Sequence, residues 1–402
     1  MGKKLIIASL ILSSFLTFNQ ANASLFTLHV EQDNTSTGGI NINETVSFDS
    51  ILDLFKQYED GKLDSIIAGY NLNAASTGVI NFRGIDLKIA YDNSSKLTFV
   101  IDSLGINKEF SGGSQEESFK QLTDYLKENK DGLLKKILKA TIAETPYDAV
   151  AGNPNSLMNS MVDSTFTMNK RYSLNTLSSY LSPKASKHTI DYDGESKDIN
   201  TLTLPIGFAF GFGKNDNWGL IFDMPISYSD NDGSKSYALQ LGLGLEIPII
   251  SNYWKLTPSA KVGATASEDM LSGGVLYSFS LTSNVRIPLN KFLLEVTNSA
   301  GIIKDYSVKV GDYEIEYDLK NEFYKNGLKL TYGLTEHVDI GANYAFTFFT
   351  GSKLYIDSYS DLGAFLTYKF SKDRFIDGLS LAGNYSFGDN YKAYGIGISI
   401  LF

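Results

Sequence analysis

The stretch Tyr394-Gly-Ile-Gly-Ile-Ser-Ile-Leu-Phe402 alternates between large apolar residues and mostly small ones. Tyr394, Ile396, Ile398, Ile400 and Phe402 occupy every second position, and glycine or serine fills most of the positions between them. Successive side chains of a β-strand point to opposite faces, so one face of this segment is wholly apolar. The sequence stops at the aromatic residue, with no polar tail. The segment therefore predicts a strand whose apolar face meets a large apolar environment.

The same alternation is sustained from Thr201 to the final segment, and it gives eleven clear strands. Most of them are close to the ~9–11 residues that a tilted strand needs to cross a membrane. Lipid accommodates so many bare leucine and phenylalanine faces, and closure into a barrel removes the exposed edges. We therefore predict an all-β fold over residues 164–402, a transmembrane antiparallel β-barrel. Barrels of this kind have even strand numbers, so a weak strand within 164–181 brings the total to about twelve, within a range of roughly eight to fourteen.

The first residues have the pattern of a secretory signal peptide. Lys3 and Lys4 precede an apolar run, and Ala21-Asn-Ala23 supplies the small residues of a cleavage site. Cleavage after Ala23 removes both lysines, which takes the formal net charge from −10 to −12. So acidic a chain is a poor partner for nucleic acid, whose phosphates require clustered Lys and Arg. The sequence has no cysteine, which excludes disulfides and thiol chemistry.

Residues 24–160 have a different pattern, which predicts a small α+β domain. A short amphipathic helix follows Ser47, its candidate N-cap. Residues 78–91 alternate with one slip at Gly84, which indicates a bulge, and 97–101 return as the second strand of a hairpin. Ser114 with Glu117 forms a capping box that opens a helical region reaching Ile142.

The final segment resembles the C-terminal assembly signal of bacterial outer-membrane β-barrels, which ends in an aromatic residue with alternating apolar residues before it. The resemblance implies a Gram-negative outer membrane, a periplasmic Phe402, and two partners: outer-membrane lipid and the barrel-insertion machinery. Connections on the Phe402 side then form short periplasmic turns, and the outside set is longer, as such barrels require. Trp218 and Trp254 fall beside periplasmic turns, in one interfacial aromatic belt.

Polar residues at the positions between the apolar ones are expected to face the barrel lumen. They either select permeating solutes or pair with each other and fill a narrow bore. The predicted lumen-facing polar residues are Asp223, Gln240, Glu246, Lys255, Lys261, Arg286, Lys329, Asp339 and Lys369.

Catalytic and metal chemistry have little support in the sequence. A histidine-based site must use His29, His188 or His337, which we assign to the first segment, to an outside loop over 182–197 and to a periplasmic turn. No Gly-x-Ser-x-Gly motif accompanies them, and no glycine pair opens a helix as a phosphate loop does. We therefore predict no catalytic residue, no metal site and no cofactor.

Three functions fit these patterns. The first is a non-enzymatic outer-membrane barrel, either a structural protein or a narrow channel, with a periplasmic or lumen-plugging N-terminal domain. The second follows from a resemblance to autotransporter translocation units, in which a helix threads a twelve-strand barrel. Here Ser114 to Ile142 is the candidate helix, and the N-terminal region is displayed as an adhesin-like surface module. The third, a lipid-acting barrel enzyme, has the least support.

Overall fold

The N-terminal domain of this protein is a six-stranded antiparallel sheet with helices packed on one face. The computed structural model describes residues 26–402, except 36–38, 49, 61, 93–94, 169–176, 193, 214–216, 232–233, 268–269, 271, 311 and 371–375. The signal-peptide prediction and Tyr172 and Leu174 of the expected first barrel strand therefore lie outside the described residues. The spatial order of the sheet is β2-β1-β3-β4-β5-β6. Its strands are β1 (Phe26–Gln32), β2 (Ile42–Phe48), β3 (Ser76–Phe82), β4 (Ile85–Tyr91), β5 (Lys96–Ile101) and β6 (Ile106–Ser111).

Five α-helices accompany the strands in the described part of this region. They are α1 (Ile51–Glu59), α2 (Leu63–Ile66), α3 (Gln115–Lys127), α4 (Leu133–Glu144) and α5 (Leu157–Met168). Ser50, rather than Ser47, caps α1, because its side chain accepts a hydrogen bond from the backbone N–H of Asp53. Ser114 caps α3 as the sequence predicts, by accepting from the N–H of Glu117. None of the described helices combines the length and apolarity of a membrane span.

The slip at Gly84 is a tight turn and not the bulge that the alternation indicated. Arg83 and Gly84 both have positive φ angles, 52° and 89°. Two such residues between paired strands form the turn that joins a hairpin, so β3 ends at Phe82 and β4 begins at Ile85. The predicted single strand over 78–91 is therefore wrong, and the turn brings Arg83 to the tip of a hairpin.

The remaining strands form a closed barrel of twelve antiparallel strands, as predicted. The first three are each interrupted once, so that two segments make up one barrel strand. These pairs of segments are β7 (Leu177–Leu181) with β8 (Lys184–Tyr192), β9 (Glu195–Leu204) with β10 (Ile206–Phe212), and β11 (Trp218–Asp223) with β12 (Ile226–Asn231). The nine further barrel strands are β13 (Ser234–Ile250), β14 (Trp254–Ser267), β15 (Ser272–Leu289), β16 (Phe292–Tyr306), β19 (Lys320–Gly333), β20 (Val338–Gly351), β21 (Ser358–Lys369), β22 (Gly378–Gly388) and β23 (Tyr391–Leu401).

Closure occurs between the last strand and the first. β23 pairs with β8 from Tyr391 to Gly397 and with β7 at Ile400 and Leu401. The short hairpin of β17 (Val308–Val310) and β18 (Tyr313–Ile315) stands in the connection between β16 and β19. We call the end of the barrel that carries this connection the domain end, and the opposite end, with the hairpin turns at 251–253 and 290–291, the turn end.

The start of the barrel differs from the prediction. The expected strand over 164–181 is helical up to Met168, and its strand portion begins only at Leu177. The expected outside loop over 182–197 consists mostly of β8 and the beginning of β9. The segment up to Met168 is helical because its apolar residues can be buried along one helix face. The buried residues with this spacing are Leu157, Met158, Met161, Val162 and Thr165.

Candidate functional site

The outer surface of the barrel is mostly apolar, with exceptions at the domain end such as Lys187 of β8 and Asp198 of β9. Leu243 and Leu328 are 46% and 50% exposed, and their neighbours in sequence point inward. Large aromatic side chains stand toward both ends of this surface, which is the arrangement of a membrane-spanning barrel. Near the turn end they are Phe212, Trp218, Tyr253, Phe292 and Tyr368, and near the domain end they are Tyr237, Tyr277, Tyr306 and Tyr394.

Helix α5 lies inside the barrel, against glycines of the wall. A Cβ atom added to Gly263 would lie 2.9 Å from the Leu157 side chain, and one added to Gly327 would lie 2.6 Å from the Phe166 ring. The end of the helix, Met168, approaches Gly244 equally closely. Glycine therefore makes room for the helix at several points of the wall. The threaded helix is α5, and not the region Ser114 to Ile142 that the sequence indicated, which packs in the N-terminal domain.

Polar side chains of α5 bond to the wall at predicted lumen positions. Gln240 donates to the Ser160 hydroxyl at 2.6 Å, and the Lys261 ammonium donates to the Ser164 hydroxyl. Lys261 also forms a fully buried ion pair with Asp223. These contacts place three of the predicted residues around one side of the helix.

A second ionic group, centred on the buried Lys325, contacts the other side of α5. The Lys325 ammonium lies 2.8 Å from a carboxylate oxygen of Asp163 on the helix and 2.8 Å from one of Asp361 on β21. Tyr359 donates to Asp163 at 3.4 Å. Lys325 and Asp361 were not predicted as lumen residues, although Lys325 has the same strand parity as Lys329, and Asp361 the same as Lys369. Asp163 was missed because its segment was not recognised as a helix.

The lumen at the domain end is filled by apolar side chains. Leu276, Ile303, Phe323 and Phe349 point inward and are at most 6% exposed. They belong to one continuous core with α5 and with the apolar side of the N-terminal domain, which includes Leu28, Phe99 and Phe119. A water-filled channel has a polar interior. At this end the barrel is packed like the core of a soluble protein.

The hairpin tip of the N-terminal domain enters the barrel mouth. Arg83 is fully buried there and forms an ion pair with Asp148, which is also fully buried. Asp148 accepts hydrogen bonds from the Tyr317 hydroxyl at 2.8 Å and from the Val150 N–H at 2.7 Å. Burial, together with the neighbouring Asp148 carboxylate, raises the pKa of Tyr317 well above its ordinary value. One carboxylate thus links the domain, the segment before α5 and the barrel.

Backbone hydrogen bonds add to this attachment. The N–H of Tyr355 donates to the carbonyl of Ile142 at 2.8 Å, and that of Ile356 donates to the carbonyl of Gly152 at 3.0 Å. Tyr192 donates from its hydroxyl to the carbonyl of Gly84 at 3.0 Å. Loops and strand ends of the barrel therefore hold the N-terminal domain by its main chain as well as by its core.

The turn end of the lumen is lined by paired charges. Lys255 bonds to Glu246 at 2.8 Å, and Lys369 bonds to Asp339 at 2.9 Å. Glu295 lies between Arg286 at 3.6 Å and Lys329 at 3.3 Å. Glu295 was missed by the sequence analysis, although it alternates with Leu294 and Val296. All nine predicted lumen residues lie on the inner face of the wall, and each of the eight charged ones forms an ion pair with a residue of another strand.

The residues of the assembly-signal prediction lie on the outer face of β23. Tyr394 and Ile396 are 62% and 50% exposed there. The backbone of Phe402 continues the closing ladder, since its N–H and carbonyl both bond to Ser179 at 3.0 and 3.2 Å.

The three histidines occupy different parts of the molecule. His29 is on the outer face of the domain sheet, and His337 is in a turn-end connection. His188, predicted in a loop, points into the lumen from β8, where its ring nitrogens contact the hydroxyls of Ser186 at 3.0 Å and Tyr391 at 3.1 Å. A catalytic serine–histidine pair has a carboxylate at the second ring nitrogen, and a tyrosine stands here instead. Within the described ranges, no cluster of three potential metal ligands occurs.

No protein-family model and no curated protein sequence matches this chain. Solved structures match it in fold. The translocator domain of the autotransporter NalP from Neisseria meningitidis aligns with a TM-score of 0.47 and 13% identity, over 61% of this chain and 94% of that one. The β domain of the Bordetella autotransporter BrkA aligns at 0.43 and 14%, over 56% and 99%. An outer-membrane channel from Pseudomonas putida F1 aligns at 0.43 and 11%, over 58% and 98%.

The closed wall, its apolar exterior and the enclosed helix together define the architecture. The chain folds as a twelve-stranded β-barrel of the outer-membrane type, with a helix inside it and an N-terminal domain over one mouth.

Proposed function

We propose that this protein is a sealed outer-membrane anchor that displays its N-terminal domain on the cell surface. The single observation that carries the proposal is the apolar core shared by the domain, α5 and the domain end of the lumen. Such a core excludes water and ions, so it suits an anchor rather than a pore. It also fixes the domain at the mouth opposite the short turns, which are periplasmic in proteins of this architecture.

The surface orientation is tested by labelling engineered cysteines in intact cells. Glu44 is exposed on β2 of the domain, and Glu336 is exposed in a turn-end connection. A membrane-impermeant maleimide should label Glu44→Cys in intact cells, and Glu336→Cys only after the outer membrane is disrupted. The native sequence has no cysteine, so the background is low. The opposite pattern would place the domain in the periplasm and reject surface display.

The sealed state is tested separately by conductance. The full-length protein, reconstituted in planar bilayers, should show no stable channel steps, because α5 and the domain core fill the lumen. Lys369→Ala is the matched control, since it removes a charge from the turn end and leaves the filled half unchanged. Stable steps in the unaltered protein would favour the narrow channel that the sequence left open.

The displayed domain offers a contact surface on the side of the sheet opposite its helices. A shallow groove of about 370 Å³ crosses β1, β3, β4 and β5 there. Val79 of β3 lies between the strands that carry the charged Glu31 and Lys88, and Val100 of β5 lies on the other side of Lys88. This surface is where an adhesin-like role would reside, and binding of intact cells to immobilised surface components would measure it. A lipid-acting enzyme has less support, because a tyrosine and not a carboxylate contacts the second ring nitrogen of His188 beside Ser186.

Export and assembly complete the proposal. The precursor is cut after Ala23, and the insertion machinery recognises the outward face of β23. Phe402→Ser should lower the outer-membrane level in cells more than the refolded yield in detergent, because refolding does not use the machinery. Intact mass of the purified protein measures the cleavage. A parallel fall of both levels would make Phe402 a packing residue only.

A further inference from the structure

We propose that β7, β10 and β11 form a hinged flap in the barrel wall, which bends about a row of three prolines. Pro183, Pro205 and Pro225 stand at the interruptions of the first three barrel strands. The proposal concerns a movement of the wall at the turn end, and it goes beyond the sealed anchor described above.

The three prolines lie at one level of the wall. The strand register is the same on both sides of each interruption, so Pro183 stands opposite Ile398, Pro205 opposite Ser182, and Pro225 opposite both Pro205 and Gln240. The row therefore runs across three adjacent strands, beginning where β23 closes the barrel.

Each proline leaves its residue pair with one backbone hydrogen bond instead of two. The N–H of Ile398 donates to Pro183, that of Ser182 to Pro205, and that of Gln240 to Pro225, each at 3.0 Å. In a regular antiparallel ladder such pairs exchange two hydrogen bonds. Proline has no N–H, so the reciprocal bond cannot form at any of the three. Proline is rarely found inside a paired strand, and an aligned row of three makes a line along which the sheet bends easily.

The flap is held by a short ladder on its β7 side, whereas β11 pairs with β13 over five residue pairs on the other side. β7 meets the closing strand through three residue pairs, Ile400–Leu181, Leu401–Tyr180 and Phe402–Ser179. Inside, a cluster of three buried apolar residues, Met168, Ala209 and Ile221, backs the flap. The buried ion pair of Asp223 with Lys261 ties β11 to β14 close to the proline row. The large core of the barrel lies at the domain end, so bending here leaves that core intact.

Bending of the flap would give one buried polar group, the Ser182 hydroxyl, access to water. The Ser182 hydroxyl, in the proline row, is buried and has no hydrogen-bond partner among the described residues. Bending about the row exposes this hydroxyl to water in the turn-end lumen. A buried hydroxyl without a partner destabilises the straight conformation relative to the bent one.

Hydrogen exchange of the full-length protein in lipid nanodiscs tests the flap. Amides of β7, β10 and β11 should exchange at least tenfold faster than amides of Leu328–Tyr332 and Ile340–Tyr344, which lie in uninterrupted strands on another side of the barrel. Equal protection in the two regions overturns the proposal without any variant being made.

Two sets of variants then test the hinge itself. Pro205→Val with Pro225→Val restores two N–H donors and should slow exchange in the flap toward the level of β19. Pro258→Val is the control, because Pro258 lies in the regular ladder of β14 and β15, and it should leave the flap unchanged.

A disulfide lock decides the question if the double variant does not fold. Leu181→Cys with Ile400→Cys joins the flap to β23, and its oxidation should remove the fast exchange. Ile340→Cys with Leu366→Cys is the matched lock between β20 and β21. Fast exchange that survives the first lock, or that the second lock also removes, contradicts the hinge.

Discussion

The two halves of the barrel lumen have the same wall but different interiors. At the domain end, inward side chains such as Ile303 and Phe323 are apolar and pack against α5 and the N-terminal domain. At the turn end, inward side chains such as Arg286 and Lys369 are charged, paired and partly exposed to water. The outer faces of both halves carry exposed apolar side chains, such as Tyr277 at the domain end and Ile287 at the turn end. The difference shows that the polarity of a strand's inner face follows what fills the barrel at that level. Inward residues are apolar where they meet protein and charged where they meet water.

The largest effect is expected from the buried ion pair at the mouth. Asp148→Ala leaves the Arg83 guanidinium buried without its carboxylate and should destabilise the attachment of the domain by about 3–5 kcal/mol. Limited proteolysis of the domain, with the barrel followed by gel mobility, measures the effect. Lys135→Ala is the control, because its ion pair with Glu316 also joins domain and barrel but is partly exposed, so it should cost about 0–1 kcal/mol. Equal losses in the two variants would mean that burial at the mouth is not what holds the domain.

Two Ile→Ala substitutions, which each create a cavity, compare how much the two apolar clusters contribute to stability. Ile303→Ala in the domain-end core should cost about 4 kcal/mol, and Ile221→Ala in the turn-end cluster about 2 kcal/mol. The residues are similarly buried, but the three-residue cluster around Ile221 can collapse into the cavity. Denaturant unfolding in detergent, followed by circular dichroism, gives both values. A larger loss for Ile221→Ala would reverse the comparison.

The hydrated charges of the turn end should matter less. The Lys369 side chain is 45% exposed in its pair with Asp339, so Lys369→Ala should change the free energy of unfolding by less than about 1 kcal/mol. The same denaturant assay applies. A loss above about 2 kcal/mol would show that the turn end is as dry as the domain end.

The smallest effect is expected from buried tyrosines of the domain. It is absent at neutral pH and appears only in alkali. Burial raises the pKa of Tyr58 and Tyr91 above the ordinary value, while in the unfolded chain they ionise near pH 10. Their contribution to stability is therefore complete below pH 10 and is lost as the pH rises above it. Proteolysis of the domain between pH 8 and 11.5 should accelerate only above about pH 10. Tyr58→Phe should weaken this dependence, and an unchanged profile would place its origin elsewhere.

The sequence was sufficient to predict the wall but not its contents. Alternation over β13 to β23 predicted the strands and their inward residues, because lipid outside imposes one face on every strand. It failed at α5, whose helical pattern is short and includes Asn159, Ser160 and Ser164 among its polar residues. The partner of Lys325 could not be predicted either, since Asp163 and Asp361 come from elements distant in sequence. Arg83-Gly84 could be read as a bulge or a turn until the paired strands were known.

The core shared by the domain and the lumen also decides how this molecule can be engineered. Replacing residues 26–144 with a foreign domain would remove the lid under which Leu276, Ile303 and Phe349 are buried, and those side chains would face water inside an open mouth. A cargo should instead be joined ahead of Phe26, so that the domain stays as part of the scaffold. The modular boundary for display therefore lies before the domain, not between the domain and the barrel.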